Sequence, residues 1–511
     1  MGSFVFITIN GRSCESHQGE TVLSALIRAG VPVSAPCGGR GICGKCRLTL
    51  IKGNVRFLEN STEVKSGDSF CACRATALSD ITVSLPNDDA VADANFPSIP
   101  LAVMQTDRKV DRAGIGIDIG TTTVQAEFVD LDTGESLQVF SAFNNQRGFG
   151  ADVMSRIDSA RKGKTRELFA AINTQVEDIL RQCIDKWNLP AIEQCVVSGN
   201  TTMLHLFAGV DPSAIGEAPY TPVFLEERHF EGRELSLSAR RVTLLPGISA
   251  FVGADIVAGL AFIDIMKEDG DILFVDIGTN GEIAVWRKGG ERLVCCSTAA
   301  GPCFEGAEIS CGMGAMPGAI NRISLEEEPV NMTRFKFGPL FYSTLGDVKA
   351  RGICGAGFID AIAAMKRLGA IDETGALADE YVQTGFPVAE GIVITQKDVR
   401  QFQLAKAAIF SGIKILCKTA GLETEKISTA YIAGGLGFFI NLENAANVGL
   451  LPGSFIKKAA VCGNTSLKGA VRSLVDPAFL PRCREIVSHS VTADLALDSG
   501  FADEFADNMF L

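Results

Sequence analysis

Two sets of residues in this chain of 511 could do chemistry: cysteines near the N-terminus, and two copies of an aspartate–glycine–threonine turn further on. In APCGGRGICGKCRLTL, Cys37, Cys43 and Cys46 have the spacing Cys-x5-Cys-x2-Cys, and FCACRA later supplies Cys71 and Cys73. Three thiolates on a glycine-rich loop and one from a distant turn make a four-sulfur cage, whose glycines let backbone N–H groups point at sulfides. A zinc ribbon would normally carry two Cys-x2-Cys pairs; one is present here, which favours an iron–sulfur cluster over zinc. The second set is GIGIDIGTTTVQAEFVD, from Gly114, and LFVDIGTNGEIAV, from Leu273, in which Asp118 corresponds to Asp276. Each copy reads as a strand, a tight turn and a returning strand. Such a turn suits phosphate: Gly120 and Gly278 let N–H groups approach an anion, and Thr121, Thr122, Thr123, Thr279 and Asn280 add donors. Asp118 and Asp276 supply hard oxygens for Mg²⁺ or its water. Two turns facing one another would clamp a nucleoside triphosphate. A third piece, TAYIAGGLGFFINL from Thr429, is a strand entering Gly434-Gly435, a double glycine that could pass under an adenosine.

The elements that must hold these residues are legible from periodicity. FVFITINGR alternates and closes on Asn10-Gly11, a hairpin signal. TVLSALIRAG has helical spacing, and ITVSLP from Ile81 is a last strand. Strand, strand, helix, strand is the order of a small β-grasp domain, in which Cys14 is a core side chain. Residues 88–112 are charged, proline-bearing and aperiodic, and read as a tether with a reach of about 25–30 Å. Further on, RELFAAINTQVEDILRQCIDKW is a helix ending near Trp187. Ser198 to Thr202 joins a strand to a helix as an anion-binding turn or an N-cap at Asn200. His205 inside that helix is a packed residue rather than a ligand. Asp255 lines a cleft or caps its helix, and Gly463-Asn464 echoes Gly199-Asn200. The loop from Cys295 to Ile320 is rich in glycine and cysteine, but Cys295, Cys296, Cys303 and Cys311 lack a Cys-x2-Cys pair, so it reads as a flexible partner- or nucleotide-facing loop rather than a second cluster.

Composition excludes some functions. A formal charge of −13 opposes nucleic acid and anionic membrane as partners. The longest apolar stretches, such as VGADIVAGLAFIDIM, carry aspartates and stop short of the about 20 residues of a membrane span. Sixteen cysteines without a secretory signal place the chain in a reducing cytoplasm, as free thiols or metal ligands.

The order phosphate loop, phosphate loop, glycine-rich adenosine loop resembles the actin, sugar-kinase and heat-shock-chaperone ATPase superfamily, whose nucleotide lies between two like-folded lobes. The N-terminal module is similar to plant- or adrenodoxin-type ferredoxins with one 2Fe-2S cluster, and that resemblance makes Cys73 the fourth ligand. Cys71 is the rival, two residues earlier and on the opposite face of an extended segment. The implied fold is α/β and α+β multidomain, an N-terminal β-grasp ferredoxin followed by a two-lobed actin-like (ribonuclease H-like) ATPase. The expected divisions are a ferredoxin domain at 1–87, a linker at 88–112, lobe I at 113–268, lobe II at 269–490 and a C-terminal tail at 491–511.

This fusion, with GIDIGTTTV, GNTTMLHL, DIGTNGEIA, CSTAAGP, ISCGM, GICGAGFIDA, QLAKAAI and IAGGLG, resembles the reductive activators of corrinoid-dependent methyltransferases and corrinoid proteins. The resemblance implies an ATP-hydrolysing activase that passes one electron from a 2Fe-2S cluster to Co(II), regenerating Co(I). It implies as cofactors the cluster, ATP and Mg²⁺. It implies as partners the corrinoid protein of a methyltransferase system and an upstream low-potential electron donor; a homodimer is compatible with it. A plant-type cluster lies near −400 mV, while corrinoid Co(II)/Co(I) lies lower still, so ATP must assist. Ser297, in a loop of small side chains, is the candidate to offer cobalt an oxygen; the alternative is a hydroxyl bonded to its own turn. Longer family members carry an extra segment between ferredoxin and ATPase core, and Asn145 stands where the family often has proline. Two other functions fit the modules, a small-molecule kinase with a redox-sensing cluster and a chaperone-like binding module with a structural one.

Overall fold

The computed structural model describes residues 4–9, 12–17, 19–29, 31, 33, 41, 46–58, 61–84, 110–306, 308–326, 334–438 and 440–511. Cys37, Cys43, the Asn10-Gly11 turn and most of the 88–112 linker lie outside them. The chain divides into two compact units, residues 1–245 with 473–475, and residues 246–472 with 476–511.

The first unit begins with β1 (Phe4–Ile9), β2 (Arg12–His17), α1 (Val22–Arg28), β3 (Arg47–Lys52), β4 (Ser69–Cys71) and β5 (Ile81–Ser84), in a sheet ordered β2-β1-β5-β3-β4. β1 pairs antiparallel with β2 and parallel with β5, the β-grasp arrangement expected from the element order. Alternation puts Ile7 and Ile9 of β1 and Ile81 and Val83 of β5 inward, where Val22, Leu23, Ala25 and Leu26 of α1 cover them. Thr21 Oγ1 accepts the Ser24 N–H at 3.1 Å and so caps α1.

The same unit continues with β6 (Ala113–Ile119), β7 (Thr123–Asp130), β8 (Ser136–Phe143), α2 (Val153–Ser159), α3 (Thr165–Trp187), β9 (Ile192–Gly199), α4 (Thr201–Phe207), β10 (Arg228–Glu231) and β11 (Ala239–Leu244). Its sheet runs β8-β7-β6-β9-β11-β10, with β6 antiparallel to β7 and parallel to β9. In α3, Leu168, Ile172, Val176, Ile179 and Cys183 form the buried stripe, and Asn188 in the left-handed region ends the helix.

The second unit repeats this plan. It holds α5 (Ala254–Ile263), β12 (Ile272–Ile277), β13 (Gly281–Trp286), β14 (Leu293–Thr298), α6 (Gly355–Arg367), α7 (Gln396–Thr419), β15 (Thr429–Ala433), α8 (Leu442–Asn447), β16 (Ala459–Gly463), α9 (Thr465–Val475), α10 (Phe479–His489), β17 (Ser490–Thr492) and α11 (Phe501–Asp507). The sheet order is β16-β15-β12-β13-β14-β17, with β12 antiparallel to β13 and parallel to β15. In both units the aspartate-bearing strand is central, with a hairpin on one side and parallel strands on the other. The C-terminal residues are tied to α7: the Gln403 amide donates to the Met509 carbonyl at 2.6 Å, and the Lys406 ammonium to that of Phe510.

His205 is packed, as expected. It is fully buried in α4, Nδ1 lies 2.7 Å from the Thr201 carbonyl, and Nε2 faces the Val223 N–H at 3.0 Å. A carbonyl on one nitrogen and an N–H on the other require the neutral ring with its proton on Nδ1. Burial accordingly holds its pKa below 6.5. The unfolded chain therefore binds a proton that the native state refuses, so the stability this ring contributes is complete above pH about 6.5 and is lost as pH falls below it. Urea denaturation of the protein between pH 7.5 and 5 should show a loss approaching about 1.4 kcal/mol per pH unit, flattened in His205→Asn. Identical slopes for the two proteins would remove His205 as the cause.

Candidate functional site

In the ferredoxin domain, Cys46 immediately precedes β3, and Cys73 sits in a single 3₁₀ turn after β4. Their sulfurs are 3.2 Å apart, the Cys46 thiol donating to Cys73. The Ala72 N–H donates to the Cys46 carbonyl at 2.8 Å, locking the two segments together. Cys71 ends β4 opposite Arg47, and its thiol is also hydrogen-bonded to Cys46; burial first and then the Cys46 neighbour push its pKa up. The proximity of Cys46 and Cys73 fits two ligands on one iron. The other two cysteines of the cage, Cys37 and Cys43, lie outside the described residues.

The first phosphate loop is built by β6 and β7. Every residue of β6 is buried except Asp118, which is half-exposed at the end of the apolar run. Gly120 N–H donates to the Thr123 carbonyl at 3.0 Å and closes the turn. Two residues with no role assigned from sequence brace it: the buried Asn144 donates its amide to the Gly120 carbonyl at 2.8 Å and its own N–H to the Thr122 carbonyl at 2.8 Å, and the fully buried Arg156 donates to the Thr121 carbonyl. The guanidinium also donates to the Gly150 carbonyl at 3.1 Å, so this cation supports the loop backbone from behind. Asn200 caps α4 by accepting the Met203 N–H at 3.0 Å and donates to Thr121 Oγ at 3.1 Å. It is both an N-cap and a loop contact. Asn145, at the departure from the family pattern, donates its N–H to Gln175 at 2.9 Å.

In the second unit Asp276 is again the one half-exposed residue of its central strand apart from the buried apolar run. Gly278 N–H donates to the Asn280 carbonyl at 3.0 Å, and the Thr279 hydroxyl donates to Glu305. Asp276 lies opposite Ala433 on β15, which delivers Gly434 against the loop. Gly434 has φ +94°, and a Cβ there would stand 2.5 Å from the Ile277 carbonyl and 2.7 Å from the Asp276 carboxylate. Gly199 stands against the Ile119 carbonyl in the same way in the first unit, with 2.7 Å for its missing Cβ. A Cβ on Gly435 would meet nothing within 4 Å, which leaves that face open. Asn464 caps α9 through the Leu467 N–H at 2.8 Å, the counterpart of Asn200.

Glu282 was not legible in the sequence as a site residue, because an apolar run GEIAVW hides it. It faces Asp276 across β12 and β13 and Ser297 across β13 and β14. Burial first, then the Asp255 and Asp276 carboxylates, push its pKa well up, while hydrogen bonds from Ser297 and Asn280 oppose that rise. Asp255, in the first turn of α5, thus belongs to the carboxylate group around Asp276 as well as bonding the Ile256 N–H at 2.9 Å. Ser297 lies in β14, half-buried, and its hydroxyl donates to Glu282 at 3.1 Å rather than to a turn backbone. Cys295, Cys296 and Cys303 are buried, and burial pushes their thiols up, Cys295 to about 12, so they behave as core residues. Among the described residues no group of three or more His, Cys, Asp or Glu is arranged to hold a metal ion.

Fold and sites define a class: a 2Fe-2S ferredoxin domain fused to an actin-like ATPase core. Residues 6–78 match the 2Fe-2S iron–sulfur cluster binding domain family, residues 113–268 the RACo middle region, and residues 271–511 the C-terminal ASKHA domain of RACo. The corrinoid activation enzyme RamQ of Eubacterium limosum is 33% identical over 94% of this chain and 94% of its own. The Co(II) methylated amine-specific corrinoid protein reductase of Methanosarcina barkeri is 30% identical over 75% of this chain and 73% of its own. A solved reductive activator for corrinoid, iron-sulfur protein superposes with a TM-score of 0.71 at 28% identity, covering 99% of this chain and 98% of that one. The chain belongs to the RACo family.

The contrast at the adenosine loop is testable. Gly434→Ala should cost about 1–3 kcal/mol in urea denaturation, through a left-handed backbone and a clash with Ile277. Gly435→Ala should leave the midpoint where it is; equal effects at the two positions would contradict the packing described.

Proposed function

We propose that this protein is an ATP-dependent reductive activator of a corrinoid protein, an enzyme that passes one electron from its 2Fe-2S cluster to Co(II) and regenerates Co(I). One observation carries the reading: along 94% of its length, cluster domain and phosphate loops together, the chain is similar to a corrinoid activation enzyme. We assign Cys37, Cys43, Cys46 and Cys73 as the cluster ligands; the sulfur of Cys73 lies 3.2 Å from Cys46, and the ferredoxin resemblance sets it ahead of Cys71, which also bonds Cys46. When bound, a cluster of this type supplies one electron near about −400 mV.

The phosphate loops do the remaining work. Asp118 and Asp276 are proposed to orient Mg²⁺ or the attacking water, and Gly120, Thr121, Thr122, Thr123, Gly278, Thr279 and Asn280 to hold phosphate oxygens. Gly434 and Gly435 would lie under the adenosine. Thr121 and Thr279 are buried; the Thr121 oxygen accepts from Asn200, which leaves its proton for a phosphate oxygen, whereas the Thr279 hydroxyl gives its proton to Glu305 and is held in place by it. Nucleotide occupancy and hydrolysis would then govern docking of the Co(II) partner and release of its Co(I) form, with the terminal phosphoryl group going to water. Ser297 would face the cobalt.

The proposed divisions are residues 1–87, 88–112, 113–268, 269–490 and 491–511. The reading also includes a corrinoid protein of a methyltransferase system and an upstream low-potential donor, a cytoplasmic setting, and a homodimer as one state to test. No helix among the described residues is long and apolar enough to cross a membrane. The charge of −13 argues against nucleic acid or anionic membrane.

Anaerobic mixing of the reduced protein, Mg-ATP and a Co(II) corrinoid protein should raise the Co(I) absorption band, with little rise when ATP is omitted; equal rises would refute the ATP dependence. Asp276→Asn should lower ATP hydrolysis by about 10²–10³-fold while leaving the cluster's visible spectrum intact. Cys73→Ser should lose that spectrum after iron and sulfide reconstitution, and Cys71→Ser should keep it. The reverse result would make Cys71 the ligand.

A further inference from the structure

Asp276, Glu282 and Ser297 occupy one cross-strand row of the second unit, Asp276 opposite Glu282 and Glu282 opposite Ser297. Directly opposed residues of antiparallel strands point to the same face, so the row is continuous in space as well as in register. Glu282 is its only fully enclosed member, 8% exposed, and two hydrogen bonds end on its carboxylate. One comes from Asn280 in the phosphate loop and one from the Ser297 hydroxyl at 3.1 Å. A buried carboxylate is costly unless such donors satisfy it, so a shift of either donor must be felt by the other. The serine's single proton is committed to Glu282, which leaves its half-buried oxygen as an acceptor.

We propose that Glu282 is a positioning residue that couples nucleotide at the Asp276 loop to the orientation of the Ser297 hydroxyl. This rests on the reading of that loop as a nucleotide site and of Ser297 as the cobalt-facing group. Phosphate oxygens recruiting Asn280 withdraw one donor from Glu282, and the carboxylate then holds the serine proton more firmly. The serine oxygen is thereby aimed and made more electron-rich when nucleotide is bound. Linkage is reciprocal, so disturbing Ser297 must alter nucleotide affinity even without a corrinoid partner.

That reciprocity supplies a test that needs no cobalt. The affinity of the full-length protein for Mg-AMPPNP is measured by calorimetry for the unsubstituted chain, Ser297→Ala, Ser297→Thr, Glu282→Gln and the Ser297→Ala/Glu282→Gln pair, each checked for native thermal unfolding. Ser297→Ala should change the dissociation constant by about threefold or more, and Ser297→Thr, which keeps the hydroxyl, should restore it. In the Glu282→Gln background the alanine substitution should have no further effect. An unchanged constant in Ser297→Ala, or a change that persists in full beside Glu282→Gln, would overturn the coupling. No binding of Mg-AMPPNP to the unsubstituted protein would instead overturn the nucleotide reading beneath it, so the two failures are distinguishable.

Discussion

A buried apolar strand that ends in a carboxylate is the constraint on which the ATPase core depends. β6 and β12 lie at the centre of their sheets, hydrogen-bonded on both sides, and their apolar side chains leave solvent completely. A one-residue slip would carry Asp118 or Asp276 into the core and strand a charge there, at a cost no hydrophobic gain could offset. Register is therefore held by the burial of Ile115, Ile117, Leu273 and Val275, and the position of each aspartate follows from it. The neighbouring parallel strands pack against the same anchored backbone, Gly199 and Gly434 abutting the carbonyl after each aspartate where a Cβ would clash.

The two units solve one problem with different supports. In the first, neutral amides and a buried guanidinium hold the loop, Asn144 and Arg156 by its carbonyls and Asn200 by the Thr121 hydroxyl, each reaching the turn from a different element. In the second, carboxylates surround the loop, with Glu282, Glu305 and Asp255 near Asp276 and Thr279. The first arrangement stiffens a turn without adding negative charge. The second gathers carboxyl groups around the loop and ties them to it through hydrogen bonds from Thr279, Asn280 and Ser297.

The ferredoxin domain applies the same logic with sulfur. Its helix and sheet bury a small apolar core, and the β3 and β4 ends bring Cys46 and Cys73 together from segments far apart in sequence. That meeting is a property of strand pairing rather than of the motif. The Cys-x2-Cys spacing explains why Cys43 and Cys46 can share a metal centre, but it says nothing of which later cysteine joins them.

Local signals were enough to reveal the repeated strand–turn–strand, the β-grasp order, the long helix to Trp187 and the packed His205, because each rests on periodicity or on neighbours within a few residues. The family was legible for the same reason, its motifs being contiguous. What contiguous residues could not carry was decided by tertiary structure: that Arg156 braces Thr121, that Ser297 gives its proton to Glu282 rather than to its own turn, and that Asp255 joins the carboxylates at Asp276. Those partners come from separate strands and helices, and only the register of the sheets and the burial that holds it bring them within reach of one another.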